Sequence, residues 1–306
     1  MTAYILRRLL QMVPVVLGIT LIVFLLVRAS GDPVAIMLPD DASQEQIDLL
    51  RRSLGLDRPV MEQYFVYLGN LLQGDFGMSL RFRNQSAFEI TIERLPATLQ
   101  LAGAALLVAV LISLPAGIVA ATNRNRWPDR VASTLSVIGE AMPNFWLGIM
   151  LILIFGVQLG WFPVSGRGTP AHVIMPAFAL GTALAALLTR LMRSSLLEVL
   201  NQDYVRTATA KGLRRRTVLT KHALRNGLLS YVTVLGLQVA SLMAGAVVTE
   251  QVFAWPGIGL LAIQAINSRD MAIIQTVVIV ASVVVMLANL LVDLLYSLID
   301  PRIQYA

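Results

Sequence analysis

Leu9-Leu-Gln-Met-Val-Pro-Val-Val-Leu-Gly-Ile-Thr-Leu-Ile-Val-Phe-Leu-Leu-Val27 contains no charged side chain. At about 1.5 Å of rise per residue, a helix over this run crosses a hydrocarbon layer of about 30 Å. Arg7 and Arg8 precede it, as in a secretory signal. The run is longer than the usual signal core of about 7–15 residues, and no A-x-A cleavage pattern follows, so it is expected to stay as a first helix. Five further stretches are comparably apolar: 97–121, 132–158, 172–192, 228–250 and 272–297. Away from their ends none holds a Lys or Arg, and their internal Gly and Pro residues (Gly18, Pro115, Gly117, Pro143, Gly148, Pro176) suit helices whose neighbours satisfy freed backbone groups. The expected fold class is an all-α integral membrane protein of about six transmembrane helices.

The whole composition agrees. Only 14% of the 306 residues are charged and 57% are hydrophobic, with a mean hydropathy of +0.72. A soluble chain carries about 25% charged residues. The net charge of +6 points to topology rather than nucleic acid. With the N-terminus inside, fifteen of the 24 Lys and Arg residues fall on short inner segments, against only Arg167 and Arg269 on short outer loops. The other seven lie in or beside the long stretch Arg28 to Arg94, a length that escapes the positive-inside rule. Both termini are therefore expected in the cytoplasm.

Residues 28–96 are polar enough to fold outside the membrane. Ser43 and Gln46 form a capping-box pattern ahead of Ile47, Leu49, Leu50 and Leu54. Pro59 suits the start of a second helix bearing Tyr64, Phe65, Tyr67 and Leu68, and Gly74-Asp-Phe-Gly77 reads as a turn. A small helical cap is expected, either plugging the bundle or touching substrate. No 20–50-residue repeat and no low-complexity tract appears.

Enzyme chemistry finds few supports. There is no cysteine and no G-x-x-x-x-G-K-[ST] phosphate loop, and His172 and His222 are the only histidines. A serine protease within the bilayer needs a histidine near a serine there, whereas His172 falls at a predicted boundary and His222 in an inner loop. No catalytic residue and no metal ligand is expected. Polar residues inside the spans are more informative, since their burial in lipid is costly. Glu140 lies beside Pro143 and Asn144; Gln238 lies in the fifth stretch with Glu250 at its outer end; Gln275, Asn289 and Asp293 lie in the sixth. They line a wet pathway or bond one helix to another. An ion-coupled transporter using Glu140 or Asp293 is a separate possibility, but the inverted repeats such proteins often show are not evident. A non-transporting scaffold is a third reading.

The longest inner loop, within 197–226, reads Asp203-Tyr-Val-Arg-Thr-Ala-Thr-Ala-Lys-Gly212, then Leu213 through His222-Ala-Leu-Arg-Asn226. Val205, Ala208 and Thr209 share one helical face, Ala210 adds little bulk, and Gly212 permits a sharp turn. By pattern alone this short helix docks into a partner's groove or lies on anionic headgroups.

This loop resembles the EAA loop of binding-protein-dependent ABC importer permeases, E-A-A-x-x-x-G followed about nine residues later by I-x-L-P. Gly212 takes the glycine and Ala208 the second alanine, while Arg206 and Thr207 replace the glutamate and first alanine. His222 and Arg225 replace the later isoleucine and proline, and Leu224 keeps the leucine. These departures are similar to the peptide, nickel and glutathione branch, R-T-A-x-A-K-G then H-x-L-R-N. Gly31-Asp-Pro33, Gly74-Asp-Phe-Gly-Met-Ser79, Leu95-Pro-Ala-Thr-Leu99, Met142-Pro-Asn-Phe-Trp146, Glu250 with Phe253-Ala-Trp-Pro-Gly-Ile-Gly259, and Asp300-Pro-Arg302 resemble that branch in the same order. The long segment after the first helix resembles the first, "B-type", sister permease; Ser230 stands where relatives often have proline.

The resemblance implies the type I importer permease fold, with a first helix and external segment over 1–94 and a five-helix domain over 95–306. It implies a multi-pass protein of the bacterial cytoplasmic (inner) membrane, surrounded by lipid and paired with a sister permease as a heterodimer. Two ATPase subunits, which bind ATP and magnesium, and an external solute-binding protein complete the assembly; this chain itself holds no cofactor and binds no nucleic acid. Tyr204, Arg206, Thr207, Ala208, Ala210, Lys211 and Gly212 would contact an ATPase subunit. Glu140, Pro143, Asn144, Glu250, Phe253, Pro256 and Gly257 are candidates for the pathway or a gate. Dipeptides, longer peptides, glutathione and nickel chelates all fit as substrates.

Overall fold

The computed structural model describes residues 2–29, 43–53, 55–79, 81–82 and 85–299, with side chains for all but 2–5 and 295–299. The motifs at 31–33 and 300–302 lie outside the described residues. The chain forms two compact units, Met1–Glu93 with Leu261–Val284, and Arg94–Leu260 with Val285–Ala306.

In the first unit, Thr2–Ala29 (α1) is a long apolar helix. The capping box forms as its pattern predicts: Ser43 N donates to Gln46 Oε1 at 3.0 Å and Gln46 N to Ser43 Oγ at 3.3 Å, opening Gln44–Ser53 (α2). Pro59 stands one residue before Val60–Leu72 (α3) as its N-cap, where its missing N–H costs nothing. α3 lies against α1 through Tyr64, whose hydroxyl donates to Leu17 O at 3.0 Å and meets Thr20 Oγ1 at 3.1 Å. Phe24 supports both Tyr64 and Tyr67, with ring centroids 5.6 and 5.7 Å away.

The second unit begins within Ala87–Thr122 (α4). Trp127–Ala141 (α5) and Asn144–Leu151 (α6) follow, the latter continuing as a π-helical segment over Ile152–Gln158. Next come Ala171–Leu200 (α7), Asp203–Ala210 (α8), the short Arg215–Thr217 (α9) with a π-helical Val218–Ala223, Leu224–Val252 (α10), Ile258–Asn267 (α11) and Met271–Ile299 (α12). α12 contributes residues to both units.

Among the described residues, five helices are long and apolar enough to span a membrane, and α5 with α6 makes up to a sixth. That pair corrects the expectation of one continuous helix over 132–158. It bends by 102° between Ala141 and Asn144. Proline disfavours helical backbone in the residue before it, and Met142 turns extended (φ −79°, ψ 123°) ahead of Pro143.

α7 is the centre of the second unit. Leu180, Leu184, Leu188, Met192 and Leu196 are buried there with Leu101 and Ala105 of α4 and Tyr231, Leu242 and Ala246 of α10. Close approach needs small residues: a Cβ on Gly181 would lie 2.6 Å from Ala105 O. The buried Tyr231 hydroxyl is satisfied by Ser113 Oγ at 2.7 Å.

Candidate functional site

The loop 197–226 folds into α8 and the turn after it. Val205 and Ala208 are buried, packed on Val218 with Val199 and Leu200 beside them. The apolar face is thus covered within its own chain instead of being left for a partner's groove or for headgroups: the basic segment folds back, and its Val218 fills the face. Thr209, on the edge of that face, is exposed. Ala208 is thus packed within its own chain. The outward face carries Tyr204, Arg206, Thr207, Ala210 and Lys211, all exposed. Tyr204 Oη accepts a hydrogen bond from Asn226 Nδ2 at 2.7 Å, and Arg206 sits 3.7 Å from Asp203. Gly212 ends the turn at φ +78°, a left-handed backbone that side-chain-bearing residues rarely adopt. Nothing lies within 4 Å of a Cβ there, so within this chain the glycine serves the turn and not a close approach.

Arg215 Nη2 donates to Thr122 O at 3.1 Å, tying the basic segment to the end of α4. Asp129 and Arg193 join α5 to α7 through a two-pronged ion pair, Nε to Oδ1 at 2.5 Å and Nη2 to Oδ2 at 2.9 Å. The Asn125 N–H also donates to Asp129, at 2.8 Å. The loop therefore sits on a braced base. Asp129 was not legible as functional, because one acid among Arg124, Arg126 and Arg130 reads as a charged helix end.

Glu140 and Asn144, on either side of the bend, line an open cleft of about 390 Å³ with Gln238, Ser241 and several leucines and alanines of α7 and α10. Glu140 pairs with Arg190 of α7, both groups remaining partly exposed. Pro143 belongs to the backbone that creates the bend. The carboxylate and two amides thus share one cleft in the second unit, with Arg190 as a counter-ion that the sequence assigned only to the inner charge count.

Glu250, Phe253 and Gly257 are buried in a different setting, and Pro256 is half-buried. Glu250 Oε1 accepts from Thr98 Oγ1 at 2.6 Å, and Oε2 accepts from Leu260 N at 2.9 Å. Thr98 Oγ1 in turn accepts from Ile258 N at 2.9 Å. Trp255 Nε1 donates to Ala97 O at 2.8 Å, and Trp255 N donates to Glu250 O at 2.9 Å. A Cβ on Gly257 would overlap the carboxylate and the Thr98 hydroxyl, and one on Gly259 would lie 2.6 Å from Val247 Cα. Phe253 packs with Met175, Ala179 and Phe155, and its ring edge fills the space a Cβ on Gly148 would need. Arg167 lies over the Trp255 ring, 5.8 Å from its centroid.

Two motifs far apart in sequence, 95–99 and 250–259, therefore close on each other as a latch. Every oxygen of the buried carboxylate has a partner, which suits a rigid joint and leaves no free acid for a ligand. A second joint of the same kind was missed. Asp270, fully buried, caps α12 by accepting from Ile273 N at 3.3 Å, and it takes bonds from Ser79 Oγ at 2.6 Å and Arg81 N at 3.1 Å. The Gly74–Ser79 motif is thereby fixed to the start of that helix.

A family model described as "Binding-protein-dependent transport system inner membrane component" matches residues 113–305, and its N-terminal counterpart matches 1–102. The chain is 42% identical to the oligopeptide transport system permease protein AppB of Bacillus subtilis, over the full length of both. It is equally 42% identical to the glutathione transport system permease protein GsiC of Escherichia coli K12, again over both whole chains. Among solved structures, an inward-facing form of the MetNI methionine ABC transporter covers 73% of this chain and all of its own, at 18% identity and a TM-score of 0.61. An amino acid ABC transporter with histidines covers 70% of this chain and 94% of its own, at 17% identity and a TM-score of 0.53. These two likenesses establish the shared fold.

Proposed function

Since the chain belongs to the family of binding-protein-dependent transport system inner membrane components, and so is a non-catalytic permease of an ABC importer, we propose that it forms half of a path for a peptide-like solute and couples to an ATPase through α8. The observation that carries the coupling role is the shape of α8. Its apolar face is packed on its own chain, and its exposed face ends in a glycine turn with open space around it.

A helix anchored from behind transmits force. Val205 and Ala208 seat α8 on Val218, and Arg215 holds the following segment to α4. Tyr204, Arg206, Thr207, Ala210, Lys211 and the Gly212 turn meet an ATPase subunit, with Ala208 supporting from beneath. ATP and magnesium act in that partner subunit, not here. Closing of two such subunits moves α8 and, through the Asp129–Arg193 brace, rotates α5 against α7. The Pro143 bend places Glu140 and Asn144 where that rotation widens or narrows the cleft with Gln238. On the other side of the membrane, the Glu250–Gly259 latch keeps α4 and α10 moving as one body and serves as the fixed part of an outer gate.

The partners in this reading are a sister permease, two ATPase subunits and an external solute-binding protein. Residues 1–94 form the first helix with its external segment, and 95–306 the transport domain. The relatives' names favour a peptide or glutathione-sized substrate over a nickel chelate.

The test is uptake of a labelled peptide mixture by the reconstituted complex. Gly212→Asp is expected to abolish ATP-driven uptake while the chain still inserts and assembles. Normal uptake by that variant, or uptake that follows a proton gradient without ATP, overturns the coupling role.

A further inference from the structure

The first unit holds a cavity of about 530 Å³ that the transport reading does not use. Its lining includes the apolar Phe24 and Val27 at the end of α1 and Val66 of α3, together with three arginines, Arg28, Arg52 and Arg58. Among the described residues, Arg58 is the one of the three that pairs with a carboxylate, that of Glu62 at 3.1 Å. Arg28 donates to the neutral Gln63 carbonyl. The lining thus combines an excess of positive charge with apolar side chains.

A second observation points to a ligand. Tyr67 lines the same cavity, and its buried hydroxyl has no hydrogen-bond partner among the described residues. A buried hydroxyl without a partner is costly, and an acceptor oxygen in the cavity would relieve it. Burial pushes its ionisation up, so the group stays protonated and able to donate.

Position identifies the source of that oxygen. The cavity opens where α1 ends, and α1 exposes Ile22, Leu25 and Leu26 just before it. In a chain with this helix in a bilayer, those side chains face lipid, and the arginines sit at headgroup level. We propose that this cavity binds the phosphodiester headgroup of an anionic phospholipid, with Arg28 and Arg52 on the phosphate, Tyr67 donating to it, and the first acyl carbons over Phe24 and Val27. The charge matches, and the apolar lining residues Phe24 and Val27 belong to the same stretch of α1 as the exposed Ile22, Leu25 and Leu26. This inference rests on the membrane placement of α1 and is independent of coupling through α8.

Native mass spectrometry of the whole importer complex, stripped of lipid and then given phosphatidylglycerol or phosphatidylcholine, tests it. Phosphatidylglycerol is expected to stay bound at energies that remove phosphatidylcholine. Arg52→Ala should weaken retention about tenfold or more, as for loss of a charge-assisted bond. Tyr67→Phe keeps the ring and should weaken it by about fivefold, while ATP-driven uptake in the variant shows that the complex is intact. Equal retention of both lipids, or no change in either variant, overturns the proposal. Displacement by millimolar inorganic phosphate or dipeptide as readily as by lipid also overturns it, assigning the cavity to a free anion.

Discussion

Replacing Gly257 with alanine places a methyl group where the Glu250 carboxylate and the Thr98 hydroxyl already are. Neither can yield freely, because Glu250 is completely buried and Thr98 nearly so. To admit the methyl, the carboxylate must leave Thr98 Oγ1, now at 2.6 Å, and Leu260 N, now at 2.9 Å. Each lost bond to a buried group costs about 1–3 kcal/mol, so the pair costs roughly 2–6 kcal/mol. For a chain of this size, that lowers a thermal midpoint by roughly 3–9 °C. The assay is the fraction of detergent-solubilised chain that stays monodisperse on size exclusion after graded heating. Gly103→Ala serves as the comparison: a Cβ there meets nothing within 4 Å, and alanine in a helix gains up to about 1 kcal/mol over glycine. A midpoint for Gly257→Ala equal to that of Gly103→Ala would refute the latch.

Thr98→Val keeps the shape but removes the donor to Glu250 and the acceptor for Ile258, and should cost roughly 2–6 kcal/mol; Thr98→Ser should restore most of the midpoint. Asp270→Ala removes the cap of α12, about 1 kcal/mol, together with the bonds from Ser79 and Arg81. Hydrogen exchange should quicken at Ile273, and unchanged protection would contradict the capping role. Asp129→Asn leaves the Arg193 guanidinium without a matched carboxylate, and should cost about 1.5–3 kcal/mol and lower uptake while α8 remains folded.

Much of this molecule is legible in its sequence because lipid leaves few solutions. A run such as Leu9–Val27 has to be a helix, and the asymmetry of Arg and Lys gives an orientation without any tertiary information. Local chemistry was equally readable: the Ser43–Gln46 box needs only its own four residues. The bend at Pro143 was not, since proline inside a membrane helix is compatible with a mild kink as well as with a break, and neighbours decide between them. The same holds for α8. Its apolar face was visible from spacing, but Val218, which covers it, lies beyond a glycine turn whose direction is a property of the fold. Thr98, Ser79 and Asp270 were illegible for a related reason. An isolated threonine or aspartate at a helix end carries no mark of a partner more than 150 residues away, and the motifs holding them could be quoted without saying that they meet.

The most direct test of the account exploits the absence of cysteine from the chain. Ala210→Cys and Ala208→Cys, each as the sole thiol, differ in one respect: position 210 is exposed, whereas position 208 is buried on Val218. Crosslinking from the cytoplasmic side of native membranes, with the attached protein identified by mass spectrometry, should capture a subunit bearing a phosphate loop at position 210 and little at position 208. Capture of lipid alone at position 210, or stronger capture of an ATPase from position 208, would contradict α8 as the coupling surface.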